Sequence, residues 1–89
     1  MVEKREKKIH IEVISQKGNC YWDHKKGQSW EFQGLCPGGM CSTAFHAAFP
    51  YILSLQNFGT FYWEKQKGTA DVACPDGENP VIFRISVID

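Results

Sequence analysis

The sequence predicts an α+β fold: a small, curved antiparallel sheet in the order β-β-α-α-β-β, with one kinked or two short helices on one face. Three observations predict it. β-branched runs with polar alternation stand near both ends of the chain, at residues 9–15 and 80–88. A block of helix formers, Ala44-Phe45-His46-Ala47-Ala48-Phe49, lies in the middle. Turn sequences, Pro37-Gly38-Gly39 and Pro75-Asp76-Gly77, punctuate the chain. At 89 residues the chain is a single domain, residues 9–89, behind a charged, flexible N-terminus, 1–8.

Each element has its own signal. Ile9-His10-Ile11-Glu12-Val13-Ile14-Ser15 alternates as a strand does, and residues 16–18 break it. Ser29-Trp30-Glu31-Phe32-Gln33, between Gly27 and Gly34, reads as a second strand antiparallel to the first. The helix is expected to start near Cys41-Ser42-Thr43, with Ser42 or Thr43 as N-cap. Pro50 removes a backbone donor, so it either kinks one helix or opens a second one over residues 50–56. Tyr51, Leu55 and Phe58 recur at helical spacing, and Asn57 and Gly59 close the segment. Phe61-Tyr62-Trp63 is a short strand or a packed loop. Residues 69–74 form a third strand, which leads into a Pro-Asp-Gly turn capped by Asp76. Residues 80–88 are the clearest strand, suited to the centre or inner edge of the sheet.

Composition excludes several function classes. Ten basic and ten acidic side chains leave no net charge, whereas a nucleic-acid binder shows a basic excess or stripe. The only local excess, Lys4, Arg5, Lys7 and Lys8, is diluted by Glu3 and Glu6 and reads as a solvated edge. The most apolar stretch, residues 44–55, contains His46, Pro50 and Ser54 and is too short to span a bilayer. The N-terminus has charges but no apolar core, so no signal peptide is expected and the cytoplasm is the expected location. A reducing compartment argues against four cysteines forming two structural disulfides.

Those cysteines, Cys20, Cys36, Cys41 and Cys74, carry the functional reading. Cys36 and Cys41 flank Pro37-Gly38-Gly39-Met40, and Cys74 opens Cys74-Pro75-Asp76-Gly77. Zinc takes thiolate and imidazole in a tetrahedron. Either the four sulfurs, or Cys20, Cys41 and Cys74 with His24, would supply that set. Four thiolates also suit an iron–sulfur cluster, although only the gap between Cys36 and Cys41 matches ferredoxin spacing. Thiol redox chemistry is a further reading: Cys41 falls at a helix N-terminus, where the dipole favours thiolate, and Cys36 or Cys74 would resolve. No Cys-x-x-Cys occurs. The plain alternative is that the cysteines only pack, as cysteine readily does in a small core.

The motifs, taken in order, resemble a family of small uncharacterised prokaryotic proteins of about this length. Its members carry a Cys followed by Gly-His-Lys-x-Gly-Asp, then Pro-x-Gly-Leu-Cys-Pro, a helical Leu-Tyr-Pro-Tyr segment and a late Cys-Pro-Asp. The residues that carry the resemblance are Cys20, His24-Lys25-Lys26-Gly27, Pro37-Gly38-Gly39-Met40-Cys41, Phe49-Pro50-Tyr51, Trp63-Glu64 and Cys74-Pro75-Asp76. The chain departs from the pattern at Asp23, Gln28 and Ser42, where Gly, Asp and Pro are expected. The resemblance implies that Cys20, Cys41 and Cys74 belong to the shared pattern, and it brings no activity with it.

The remaining candidates have plain readings beside functional ones. His24 is a loop histidine or a ligand. His46, on the helix, would pair with Cys41 as catalytic base only if the helix began after Cys41. His10 is expected to be exposed. Pro37-Gly38-Gly39 is a turn, or an amide cradle for an anion. Trp22, Trp30, Phe58, Phe61, Tyr62 and Trp63 pack the core or form an interface, where aromatic residues are enriched. Two functions result. One is a Cys-centred site, binding a metal or acting through thiols, with Cys41 as candidate nucleophile. The other is a non-catalytic module that binds a protein partner or a second copy through its aromatic surface.

Overall fold

Strand periodicity decides which face of the sheet is covered, because successive side chains point to opposite faces. In the computed structural model, which describes residues 8–88, five elements follow from it. They are β1 (Lys8–Gln16), β2 (Ser29–Phe32), α1 (Ser42–Gln56), β3 (Thr69–Ala73) and β4 (Val81–Ile88). One antiparallel sheet has the order β2-β1-β4-β3. Ile9, Ile11 and Val13 of β1, Phe32 of β2, Ala70 and Val72 of β3, and Val81, Phe83 and Ile85 of β4 are buried. A single helix covers them with Ala44, Ala48, Ile52 and Leu55, a stripe at helical spacing. The core thus lies between one helix and one sheet face.

The expected α+β class and the antiparallel pairing are present, but the expected second helix is not. Residues 42–56 form one helix that runs through Pro50. Pro50 and His46 are both exposed, so the carbonyl that loses its amide donor lies on the solvent side. The helix also starts earlier than expected: Cys41 is the N-cap, with φ −58° and ψ 130°, in place of Ser42 or Thr43. Its C-terminus closes by the amides of Phe58 and Gly59, which donate to Leu55 O (3.2 Å) and Ser54 O (2.8 Å). Phe58 takes the left-handed position at φ +68°. Gly59 passes so close to Ser54 that a Cβ there would collide with its carbonyl. Phe61-Tyr62-Trp63 is a packed loop, in which Phe61 contacts Tyr51 (5.3 Å between centroids) and Trp63 (5.0 Å). Of the charged N-terminal segment expected over residues 1–8, residues 1–7 lie outside the described residues, and Lys8 belongs to β1.

Two features of the sheet bear on the site. The β1–β4 register shifts between Val13 and Ser15, a bulge at Ile14 beside the end of β1. There Val13 turns to the other side, donating its amide to Gln28 O (2.8 Å) and accepting from Gly27 N–H (2.9 Å). Edge strand β3 is guarded: Glu64 Oε2 accepts the Asp71 amide (2.9 Å), and Asp71 itself holds Arg84 by two hydrogen bonds (2.9 and 3.0 Å).

Replacing Pro50 distinguishes one helix from two. If α1 is continuous, Pro50→Ala restores an amide and removes a steric clash, raising stability by up to about 3 kcal/mol. The expected result is a higher denaturant midpoint with helical signal retained. A lower midpoint would place Pro50 at the start of a separate helix, where proline is favoured.

Candidate functional site

Sheet geometry brings three connections to one end of the molecule. Gln16, which ends β1, pairs with Val81, which begins β4. Residues 17–28 and 74–80 therefore leave the sheet side by side. The first connection carries Cys20 and the second begins at Cys74. The N-terminus of α1, with Cys41 as its N-cap, reaches the same place. Together they border a pocket of about 280 Å³, whose walls include Cys20, Cys41 and Cys74 with Tyr21, Trp22, Thr43, Ala44 and Asp76. All three cysteines are half-buried free thiols.

Short polar bonds hold two of these connections together. Asn79 is the joint. Its Oδ1 accepts the Asn19 amide (2.8 Å), next to Cys20, and its Nδ2 donates to Asp76 Oδ2 (3.2 Å). Lys17 N–H donates to Pro80 O (3.0 Å) beside it. Asp76 Oδ1 accepts the amides of Glu78 and Asn79, each at 3.1 Å, and so caps the turn as its sequence position predicts. The Asn79 side-chain amide first, and then these backbone amides, hold the Asp76 carboxyl below the ordinary carboxylate range. Cys74 is fixed at the mouth of the same turn. Its amide donates to Val81 O (2.9 Å), and its sulfur accepts the Val81 amide (3.3 Å).

His24 makes the third tie. It is 2% exposed, the one polar or charged side chain in the buried set of the described residues. Its Nε2 lies 3.0 Å from the Cys41 amide, and its Nδ1 lies 2.9 Å from Gln28 Oε1. A backbone amide can only donate, so Nε2 accepts and carries no proton. The neutral ring then holds its proton on Nδ1 and donates it to Gln28. The rings of Trp30 (5.3 Å) and Phe83 (6.0 Å) meet the imidazole edge-to-face. Gln28 serves here as an uncharged acceptor. Asp23 sits at φ +62°, in the left-handed region that favours glycine.

The remaining sequence candidates fall elsewhere. Cys36 is exposed and outside the pocket, its sulfur 3.8 Å from the Pro37 carbonyl. Both ring nitrogens of His24 are already engaged. Among the described residues no three His, Cys, Asp or Glu side chains are grouped to hold a metal ion. His46 is exposed on α1, and no hydrogen bond joins it to Cys41 among those of the described residues. Pro37-Gly38-Gly39-Met40 is a turn, closed by the Met40 amide on Pro37 O (3.2 Å) with Gly39 at φ +86°. Asn79 is the site residue that sequence reasoning passed over, and Gln28 entered it without a role in the site. Asn79 lies three residues after Asp76, which is the reach of an Asx-type turn.

Comparison with family models, with curated proteins and with solved structures finds no match to this chain. No described helix is long and apolar enough to cross a membrane.

Acid titration checks the Asp76 joint. Because folding lowers the Asp76 pKa, its contribution to stability is present above the unfolded value, near 3.9, and is lost as pH falls through the folded value. Asp76→Asn should lower stability at neutral pH, and its deficit against wild type should shrink as pH drops below about 4. A deficit that stays constant with pH would mean that the ionised carboxylate does not hold the turn.

Proposed function

We propose that this domain is a thiol-centred binding protein in which Cys20, Cys41 and Cys74 act from one pocket on a thiol-reactive ligand. One observation carries the reading: three cysteines far apart in sequence, on three separate connections, line a single pocket. Packing alone would not require them to border the same cavity. Cys41 is the first nucleophile, because a helix N-terminus favours negative charge beside it and this N-cap makes no side-chain capping bond. Tyr21 and Trp22, both exposed and both in the pocket wall, supply an apolar flank for the ligand.

This arrangement favours a thiol centre over a resident zinc ion or iron–sulfur cluster. Cys36, the fourth sulfur of that set, stands outside the pocket, and His24, its substitute, spends both nitrogens on Gln28 and Cys41. The second reading, an interaction module, draws on the exposure of Tyr21, Trp22, Phe58, Tyr62 and Trp63. It would use these exposed rings without the sulfurs.

Phenylarsine oxide tests the proposal. Two thiols close on its arsenic, two S–As bonds form, and the arsenic oxygen leaves as water. The reduced protein, purified without a metal-binding tag, should carry no stoichiometric metal and should take up one arsenical per chain. Cys36→Ser should leave uptake intact, whereas Cys41→Ser combined with Cys74→Ser should abolish it. Uptake that depends on Cys36, or none at all, would overturn the thiol reading. Four thiols protected until a chelator is added would return the site to a metal. If uptake fails, a mass by light scattering that doubles with concentration would support the interaction module.

A further inference from the structure

We infer that His24 and Gln28 form a tautomer lock that positions Cys41 in the pocket, making His24 a positioning residue for the thiol site; this rests on the thiol reading above. The geometry joins three elements through one ring. Gln28 is anchored to the sheet, because its carbonyl accepts the Val13 amide (2.8 Å) at the bulge of β1. Its side-chain oxygen accepts a hydrogen bond from His24 Nδ1–H (2.9 Å), which keeps the proton on Nδ1 and the lone pair on Nε2. That lone pair accepts the Cys41 amide (3.0 Å), at the residue where α1 begins. The opposite tautomer would set two N–H groups against each other at Nε2 and leave the proton-bearing amide of Cys41 without its acceptor.

The cost of burying an imidazole points to such a role. A polar ring at 2% exposure, boxed by Trp30 and Phe83, is stable only with its nitrogens satisfied, and here both are. An apolar residue would fill the same space without that requirement. What the imidazole adds is direction: one acceptor, aimed at one amide. The Cys41 amide nitrogen is bonded to the Cα that carries the side chain, so holding it restricts where the Cα–Cβ bond to the sulfur begins. The same connection carries Cys20, four residues before His24, and is tied to the Cys74 turn through Asn79. His24 therefore sets the helix N-terminus against the two connections that already hold each other.

Site-resolved alkylation tests the lock, with N-ethylmaleimide as probe and mass spectrometry reading each cysteine in native protein. Gln carries its oxygen at the reach of Nε2, whereas Asn reaches only as far as Nδ1. His24→Phe and His24→Asn should change the Cys41 rate by up to about tenfold, the effect one lost hydrogen bond can produce, with Cys74 and the exposed reporter Cys36 much less affected. His24→Gln should bring the Cys41 rate back toward wild type. Equal changes at Cys41 and Cys74 in every variant would mean general loosening and would overturn the proposal, as would no change at Cys41. Nitrogen-15 shifts of the wild-type ring need no variant: a protonated Nδ1 and bare Nε2 are expected, and a proton on Nε2 would overturn the lock. These readouts do not depend on arsenical uptake, so the thiol reading can fail while the lock stands.

Discussion

The hydrogen bond from the Cys41 amide to His24 Nε2 is the joint on which the pocket end of this molecule depends. One helix covers one sheet face, and its buried stripe sets how it lies on the strands. The stripe does not by itself fix where the helix begins or which way its first residue faces. That is decided by a buried imidazole whose other nitrogen is tied, through Gln28, to the end of β1. Without that joint, among the described residues, the N-terminus of α1 would be left to its apolar packing, and apolar packing is not directional.

The pocket follows from two joints with different chemistry. His24 is buried and its two bonds are partly so; Asn79 and Asp76 lie nearer the surface and work as a chain of short turns. Bonds of the first kind are costly to leave unmade, and those of the second can exchange with solvent at small cost. The connection of residues 17–28 takes part in both. Cys20 lies between the two joints, Cys41 is attached to the inner one, and Cys74 sits at the root of the outer one. The three thiols thus differ in how firmly their backbones are held, even though they share one cavity.

The sheet was legible because period-two alternation in residues 9–15 and 80–88 has a single physical cause, one covered face. Pro50 misled the helix assignment for an equally physical reason. Proline inside a helix is costly in general, but the cost is moderated where the orphaned carbonyl faces water, and exposure is not written in local sequence. The covering stripe was also harder to see, since Ala44 and Ala48 carry a weak hydrophobic signal and still pack fully. That Cys20, Cys41 and Cys74 border one pocket follows from the pairing of β1 with β4 and from the helix start, which lie outside the local motifs. The displacement of Cys36 was not legible either, because it depends on which way the turn at Pro37 faces. His24 read as a loop histidine because its neighbours, Lys25 and Lys26, are exposed; its burial comes from Trp30 and Phe83, distant in sequence.

The central claim is that three sulfurs from three connections face one cavity. Dibromobimane measures this directly, since it bridges two nearby thiols and becomes fluorescent only when both bromides have been displaced. In monomeric Cys36→Ser protein, peptide mapping should find bimane bridges within one chain that join pairs among Cys20, Cys41 and Cys74. Singly attached reagent without fluorescence, or bridges formed only between chains, would contradict the account.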